Sequence, residues 1–157
     1  MIKLSIPGRE FSAELNNLIL DPSGILTPEP GLGEGVKNRI EALKDRLEIY
    51  LVASDPEGSE FELAETLGVN YFKVGDIEGA QDKLDLLNTI VPEETVVIGN
   101  GYSDTLVFEE AALAIVVIGQ QGCSVQALKK ADIAVNDVEE ALDLLLKPQR
   151  IVATLRG

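Results

Sequence analysis

The chain has 157 residues, 45% of them hydrophobic and 25% charged, a balance that fits a soluble globular protein with one full core. Its net charge of −14 argues against nucleic-acid partners, whose phosphates need a basic face. It contains no histidine and a single cysteine, Cys123, which excludes Ser-His-Asp and Cys-His catalysis, His-ligated or Cys-rich zinc, and an intrachain disulfide. No apolar run approaches the roughly 20 residues that span a bilayer. Met1-Ile2-Lys3-Leu4 also lacks the apolar core of a signal peptide, so the expectation is a cytoplasmic protein with no membrane partner.

Residues 2–6 alternate apolar and polar like a half-buried strand, stopped by Pro7-Gly8, and Glu10 to Glu14 can return as the second strand of a hairpin. Asn17 to Leu20 reads as a buried strand, and the Pro- and Gly-rich stretch from Pro22 to Gly35 as a loop. Val36, Ile40, Leu43 and Leu47 form an amphipathic helical stripe. Ile49 to Ala53 is the next buried strand, and a short helix around Phe61 to Leu67 is stopped by Gly68. Strands are then expected at Asn70–Val74, Thr95–Ile98, Ala114–Ile118 and Ile133–Val135. Helices are expected at Gln81–Ile90, Asp104–Ala112, Val125–Lys130, Val138–Leu146 and Gln149–Arg156. This alternation specifies an α/β fold, a doubly wound parallel sheet with right-handed crossovers and a short N-terminal β-hairpin. No repeat or linker interrupts it, so residues 1–157 read as one domain.

Two strand ends carry acids. Leu18-Ile19-Leu20 runs into Asp21-Pro22-Ser23-Gly24, and Val96-Val97-Ile98 runs into Gly99-Asn100-Gly101-Tyr102-Ser103-Asp104. In an open α/β sheet ligands bind at the carboxyl ends of strands. The strands ending at Leu20 and Ile98 are expected to be neighbours, which brings Asp21 near Asp104. Each residue also has a plainer local reading. Asp21 can cap its own turn, Asp104 can cap the following helix, Ser54 can close a local turn, and a helical lysine such as Lys83 is usually solvated.

The order of these residues resembles the haloacid dehalogenase-like (HAD) superfamily. The carriers are an apolar strand with Asp21 and Gly24, a strand ending in Ala53-Ser54, Lys83, and Gly99-Asn100-Gly101-Tyr102-Ser103-Asp104. Within it the chain looks most like small soluble proteins related to the phosphorylation domain of P-type ATPases. The Gly99–Asp104 phrase is similar to that group's Gly-Asn-Gly-x-Asn-Asp, and the ending Lys147-Pro148-Gln149-Arg150-Ile151-Val152-Ala153-Thr154-Leu155-Arg156 to its tail.

The resemblance implies a HAD-like Rossmannoid core and a Mg²⁺-dependent phosphatase working through an aspartyl-phosphate. Asp21 would be the nucleophile. Asp21, the Ser23 backbone carbonyl, Asn100 and Asp104 would hold Mg²⁺, while Lys83, Gly24 and Ser54 would contact the phosphate. A cation and a lysine are needed there because a carboxylate otherwise repels the phosphate it attacks.

The chain departs from the pattern in ways that matter. The first motif is usually Asp-x-Asp-Gly-Thr, and here Ser23 replaces the second Asp, the general acid and base, which lowers the rate by about 10² to 10⁴. Ile25 replaces a supporting threonine. The second-motif hydroxyl aligns with Ala53, leaving Ser54 one residue late. Neither inter-motif gap has room for a cap domain. A capless site suits a phosphorylated substrate that is macromolecular, or a homo-oligomer that covers the site. The alternative is a catalytically degenerate module that keeps the fold and the cation site for binding or regulation. A two-component receiver needs an acidic pair at the end of the first strand and a phospho-acceptor on the third, and Ile6-Pro7-Gly8 and Val74-Gly75-Asp76 fit that badly.

Overall fold

The computed structural model describes residues 1–23, 26 and 33–157. β1 (Ile2–Ile6) and β2 (Phe11–Leu15) pair antiparallel, with Ile2 opposite Leu15 and Ile6 opposite Phe11. The second strand starts one residue later than its alternation suggests, because the turn takes residues 7–10. Six further strands form one parallel sheet: β3 (Asn17–Leu20), β4 (Glu48–Ala53), β5 (Asn70–Lys73), β6 (Thr95–Gly99), β7 (Leu113–Val117) and β8 (Ile133–Val135). Their spatial order is β5-β4-β3-β6-β7-β8.

The connections are helical: α1 (Glu34–Leu43), α2 (Ser59–Leu67), α3 (Gly79–Ile90), α4 (Thr105–Glu110), α5 (Val125–Lys130), α6 (Val138–Leu146) and α7 (Gln149–Leu155). Period-two alternation sorts the strand residues between two layers. Leu18, Leu20, Ile49, Leu51, Val96 and Ile98 pack with Val36, Ile40 and Leu43 of α1 and Leu142 and Leu145 of α6, and Ile2, Leu4 and Leu15 of the hairpin join that core. Ile19, Val52, Val97, Ala114 and Val116 face the other way, onto Leu86 and Leu87 of α3, Val107 and Phe108 of α4 and Ala127 of α5.

The segment between Ala53 and α3 holds only α2 and β5, and β5 pairs with β4 as part of the main sheet. Gly68 ends α2 in the left-handed conformation at φ 65°, returning its N–H to the last turn as the sequence anticipates.

The helix after β6 is shorter at both ends than the sequence reading. Residues Tyr102–Asp104 form a 3₁₀ turn, so α4 begins at Thr105 and ends at Glu110. The tighter turn follows from where the Asp104 carboxylate goes.

The strand order fixes the ligand site. From β3 the chain winds outward through β4 and β5, then returns to lay β6 on the other side of β3. This reversal is the topological switch point, where the loops leaving the two strands part and open a crevice. Asp21 and Asn100 leave those strands. The hairpin contacts α7 and the turn Pro92–Glu94 that precedes β6, at the opposite end of the sheet.

Candidate functional site

Asp21 continues the ladder beyond β3, its N–H donating to the Ile98 carbonyl at 3.0 Å. The next inward position would face the α3 layer, and α3 presents Lys83 there. The ammonium donates to Asp21 Oδ2 at 2.6 Å, Asp104 Oδ1 at 2.8 Å and Ser103 Oγ at 2.8 Å. All three Nζ protons are thereby used. Lys83 is 2% exposed, Asp21 5% and Asp104 1%. The solvated reading of Lys83 is thus overturned: its stem is buried against the second core layer, and two carboxylates receive its charge.

Asp104 does not cap α4. Its Oδ2 turns back to accept the Asn100 and Gly101 N–H groups, both at 3.1 Å. Gly99 permits this, because a Cβ there would collide with the Asp104 carboxylate. Asp21 does close its own turn, with Oδ1 accepting the Ser23 N–H at 2.9 Å, and so combines both of its readings.

Two buried carboxylates share one lysine, leaving one negative charge unmatched. Burial first, then the charge of Asp21, pushes Asp104 up to about 6, against the pull of Lys83. Burial would lower Lys83, but Asp104 and Asp21 more than offset it and hold the ammonium above its usual range.

A cavity of about 480 Å³ opens beside this triad, and Asp21, Ser23, Ala53, Ser54, Lys83, Asn100 and Ser103 line it. The structure therefore brings Asp21, Ser23, Ser54, Lys83 and Asn100 together, with Asp104 behind them. Gly24 and Ile25 lie outside the described residues. Asn100 donates from Nδ2 to the Gly122 carbonyl at 3.4 Å, which leaves its amide oxygen as the other end of the group.

The available donors are hard oxygens: two carboxylates, the Asn100 amide and the Ser23 carbonyl. This set fits Mg²⁺, which is commonly held by one or two carboxylates plus substrate oxygens. No group of three His, Cys, Asp or Glu side chains that could cage a metal occurs among the described residues. The unmatched charge at Asp104 is a second reason the site suits a cation.

Ser103 and Asp55 were not singled out by sequence reasoning. Ser103 is one residue before Asp104, inside the Gly-Asn-Gly phrase, and that adjacency was its signal. Asp55 is buried at the end of β4, with φ 50°. It accepts from the Glu60 and Phe61 N–H groups at 3.1 Å each and from the Tyr71 hydroxyl at 2.6 Å. The Glu60 carboxyl, then Tyr71 and these amides, hold its carboxylate well below the usual range despite burial. Burial and Asp55 push Tyr71 up to about 12. An acid immediately before a helical stretch was the only sequence signal, and Asp55 pins α2 to the strand end that carries Ser54.

No family model matches the chain. It is 40% identical over 78 residues to an uncharacterised protein of Methanocaldococcus jannaschii, a match covering 47% of this chain and 84% of that one. It is 30% identical over 115 residues to a soluble P-type ATPase-like phosphatase of the same organism, covering 71% of this chain and 42% of that protein's length. Among solved structures it resembles a 3-deoxy-D-manno-octulosonate 8-phosphate phosphatase from Moraxella catarrhalis, crystallised with magnesium, phosphate and the sugar acid. The TM-score is 0.70 at 19% identity, over 88% of this chain and 90% of that one.

The chain has the fold of the haloacid dehalogenase-like (HAD) hydrolases. That fold accounts for the strand order and for the switch point between β3 and β6. Among the described residues no helix is long and apolar enough to cross a membrane.

Proposed function

We propose that this HAD chain is a Mg²⁺-dependent phosphatase that works through an aspartyl-phosphate at Asp21. The observation that carries the reading is the buried Asp21–Lys83–Asp104 triad at the switch point. A charged lysine fully enclosed by two acids has little structural economy, since burying ion pairs commonly costs as much as it returns. At the mouth of a cavity the same arrangement can receive phosphate.

In this reading Asp21 presents a carboxylate oxygen to phosphorus while the Ser23 N–H fixes the rotation of the group. Lys83 exchanges part of its contact with Asp21 for the phosphoryl oxygens and offsets their charge. The Ser54 and Ser103 hydroxyls can donate to the same oxygens. Asp21, Asp104, the Asn100 amide oxygen and the Ser23 carbonyl would hold Mg²⁺, which when bound neutralises charge on the phosphate and lets a carboxylate approach it. Ser23 cannot exchange a proton near neutral pH, so both formation and hydrolysis of the intermediate proceed without side-chain proton transfer at that position. This costs about 10² to 10⁴ in rate.

The 30% identical soluble P-type ATPase-like phosphatase supports this reading, and this chain spans less than half of that relative. The test is phosphate release from p-nitrophenyl phosphate with Mg²⁺, slow in the native protein and abolished in Asp21→Asn. A folded protein that releases no phosphate but still binds beryllium fluoride with Mg²⁺ would instead favour a regulatory or binding module, the reading that Ser23 motivates.

A further inference from the structure

Resting on the phosphatase reading above, we propose that the site is built for aryl phosphates whose ring substituents are neutral or cationic. Its rim residues Asp76, Ile77 and Tyr102 would set that preference.

The charge of the cavity wall is the first ground. Among the described lining residues the charged ones are Asp21, Asp76 and Lys83, and Lys83 is already committed to Asp21 and Asp104. Among these described residues no second cation meets an anionic leaving group. Asp76, exposed on the loop before α3, adds a negative charge at the mouth. A leaving group with a carboxylate or a second phosphate meets repulsion here. An octulosonate phosphate carries such a carboxylate.

The second ground is the apolar rim. Ile77 is 97% exposed and Tyr102 70% exposed, and both line the cavity, one from the loop before α3 and one from the turn before α4. Large side chains held this far out of the core gain nothing from folding. Around a phosphate site they offer a flat apolar group a branched aliphatic surface and a ring to stack on.

The third ground is the missing acid. Besides Asp21 and Asp76, the described lining contains no carboxyl, and no imidazole or thiol. Ser23 occupies the exposed position two residues after Asp21. Ser23 stands where the HAD pattern has its general acid, so on this proposal the leaving oxygen departs unprotonated. A phenol, with a pKa of about 10, leaves far more readily than an alcohol, whose pKa lies near that of water at about 16. In balanced form, an Asp21 oxygen bonds to phosphorus as the phosphorus–aryl oxygen bond breaks. The electron pair leaves on the aryl oxide, which takes a proton from solvent. Water then attacks phosphorus, the bond to Asp21 breaks, and the carboxylate and inorganic phosphate are released.

The experiment compares kcat/KM with Mg²⁺ for p-nitrophenyl, phenyl, p-carboxyphenyl and p-(aminomethyl)phenyl phosphates and for an alkyl phosphate such as glycerol phosphate. The aryl esters should exceed the alkyl ester by at least about 10², and Ser23→Asp should narrow that gap by raising the alkyl ester most. The aminomethyl compound should exceed the carboxyl compound by at least about tenfold, and Asp76→Lys should reverse that order. Tyr102→Ala should raise KM for the aryl esters. Equal rates on aryl and alkyl esters, or a preference for the carboxyl compound, would overturn the inference while leaving the phosphatase reading in place. Release from none of them would overturn both.

Discussion

The two aspartate-bearing loops at the switch point are held in different ways. Asp104 is fixed from three directions, by Lys83 and by two backbone N–H groups, and it is 1% exposed. Asp21 has one N–H and the lysine, and it lines the cavity. Asp104 is a preorganised charge, kept in place at a cost in burial that pushes its pKa up. In the proposed function Asp21 is the reactant, at the edge of the cavity it lines. On that reading one carboxylate stays and the other acts, with Lys83 as the group they share.

Removing the shared group is the harshest way to test this contrast. Lys83→Met leaves two buried carboxylates facing each other and should cost about 3–5 kcal/mol of stability, measured by urea unfolding. A loss no larger than that of a surface lysine would mean the acids do not depend on it.

Gly99→Ala acts on the fixed side alone. The new methyl displaces the Asp104 carboxylate, with an expected loss of about 1–3 kcal/mol, typical of an overpacked site. Mg²⁺ affinity by titration calorimetry should fall with it. If the variant matches the native protein in both respects, the Asp104 geometry is not what Gly99 protects.

The pH dependence of stability probes the Asp104 side. A carboxyl whose folded pKa is raised binds its proton more tightly in the folded than in the unfolded chain. Between its ordinary value near 4 and about 6 the folded state therefore holds more protons, and stability falls as pH rises through that window. The slope should be at most about 1.4 kcal/mol per pH unit in metal-free protein. Asp104→Asn should flatten it, and a slope unchanged in that variant would place the titration elsewhere.

The smallest effect is expected away from the triad. Tyr71→Phe removes the hydroxyl donated to Asp55 and should lower stability by about 1 kcal/mol, seen as a modest drop in Tm. Phosphate release should stay at the native rate, since the lost hydroxyl donates to Asp55 and to none of the triad residues.

Much of this site was legible in the chain because it depends on strand ends. Apolar runs at Leu18–Leu20 and Val96–Ile98 are hard to misread, and adjacency at the switch point follows from the order of strands and helices. The direction of a side chain beyond its strand was harder. Asp104 reads as a helix cap because capping residues and returning acids look alike until the partner amides are known, and only the Gly99 cradle separates them. Lys83 lies in a helix whose register alone cannot tell a solvated lysine from a buried one. Asp55 was invisible as a support because its partners, Tyr71 and the α2 amides, come from later in the chain and meet it only in three dimensions.

The central claim is that Asp21 is the carboxylate that acts. The most direct measurement is an acid quench of the protein during turnover of p-nitrophenyl phosphate with Mg²⁺, followed by peptide mapping by mass spectrometry. The account predicts a phosphoryl group on Asp21 and none in Asp21→Asn. A phosphoryl group on another residue, or phosphate release that persists in Asp21→Asn, would contradict it.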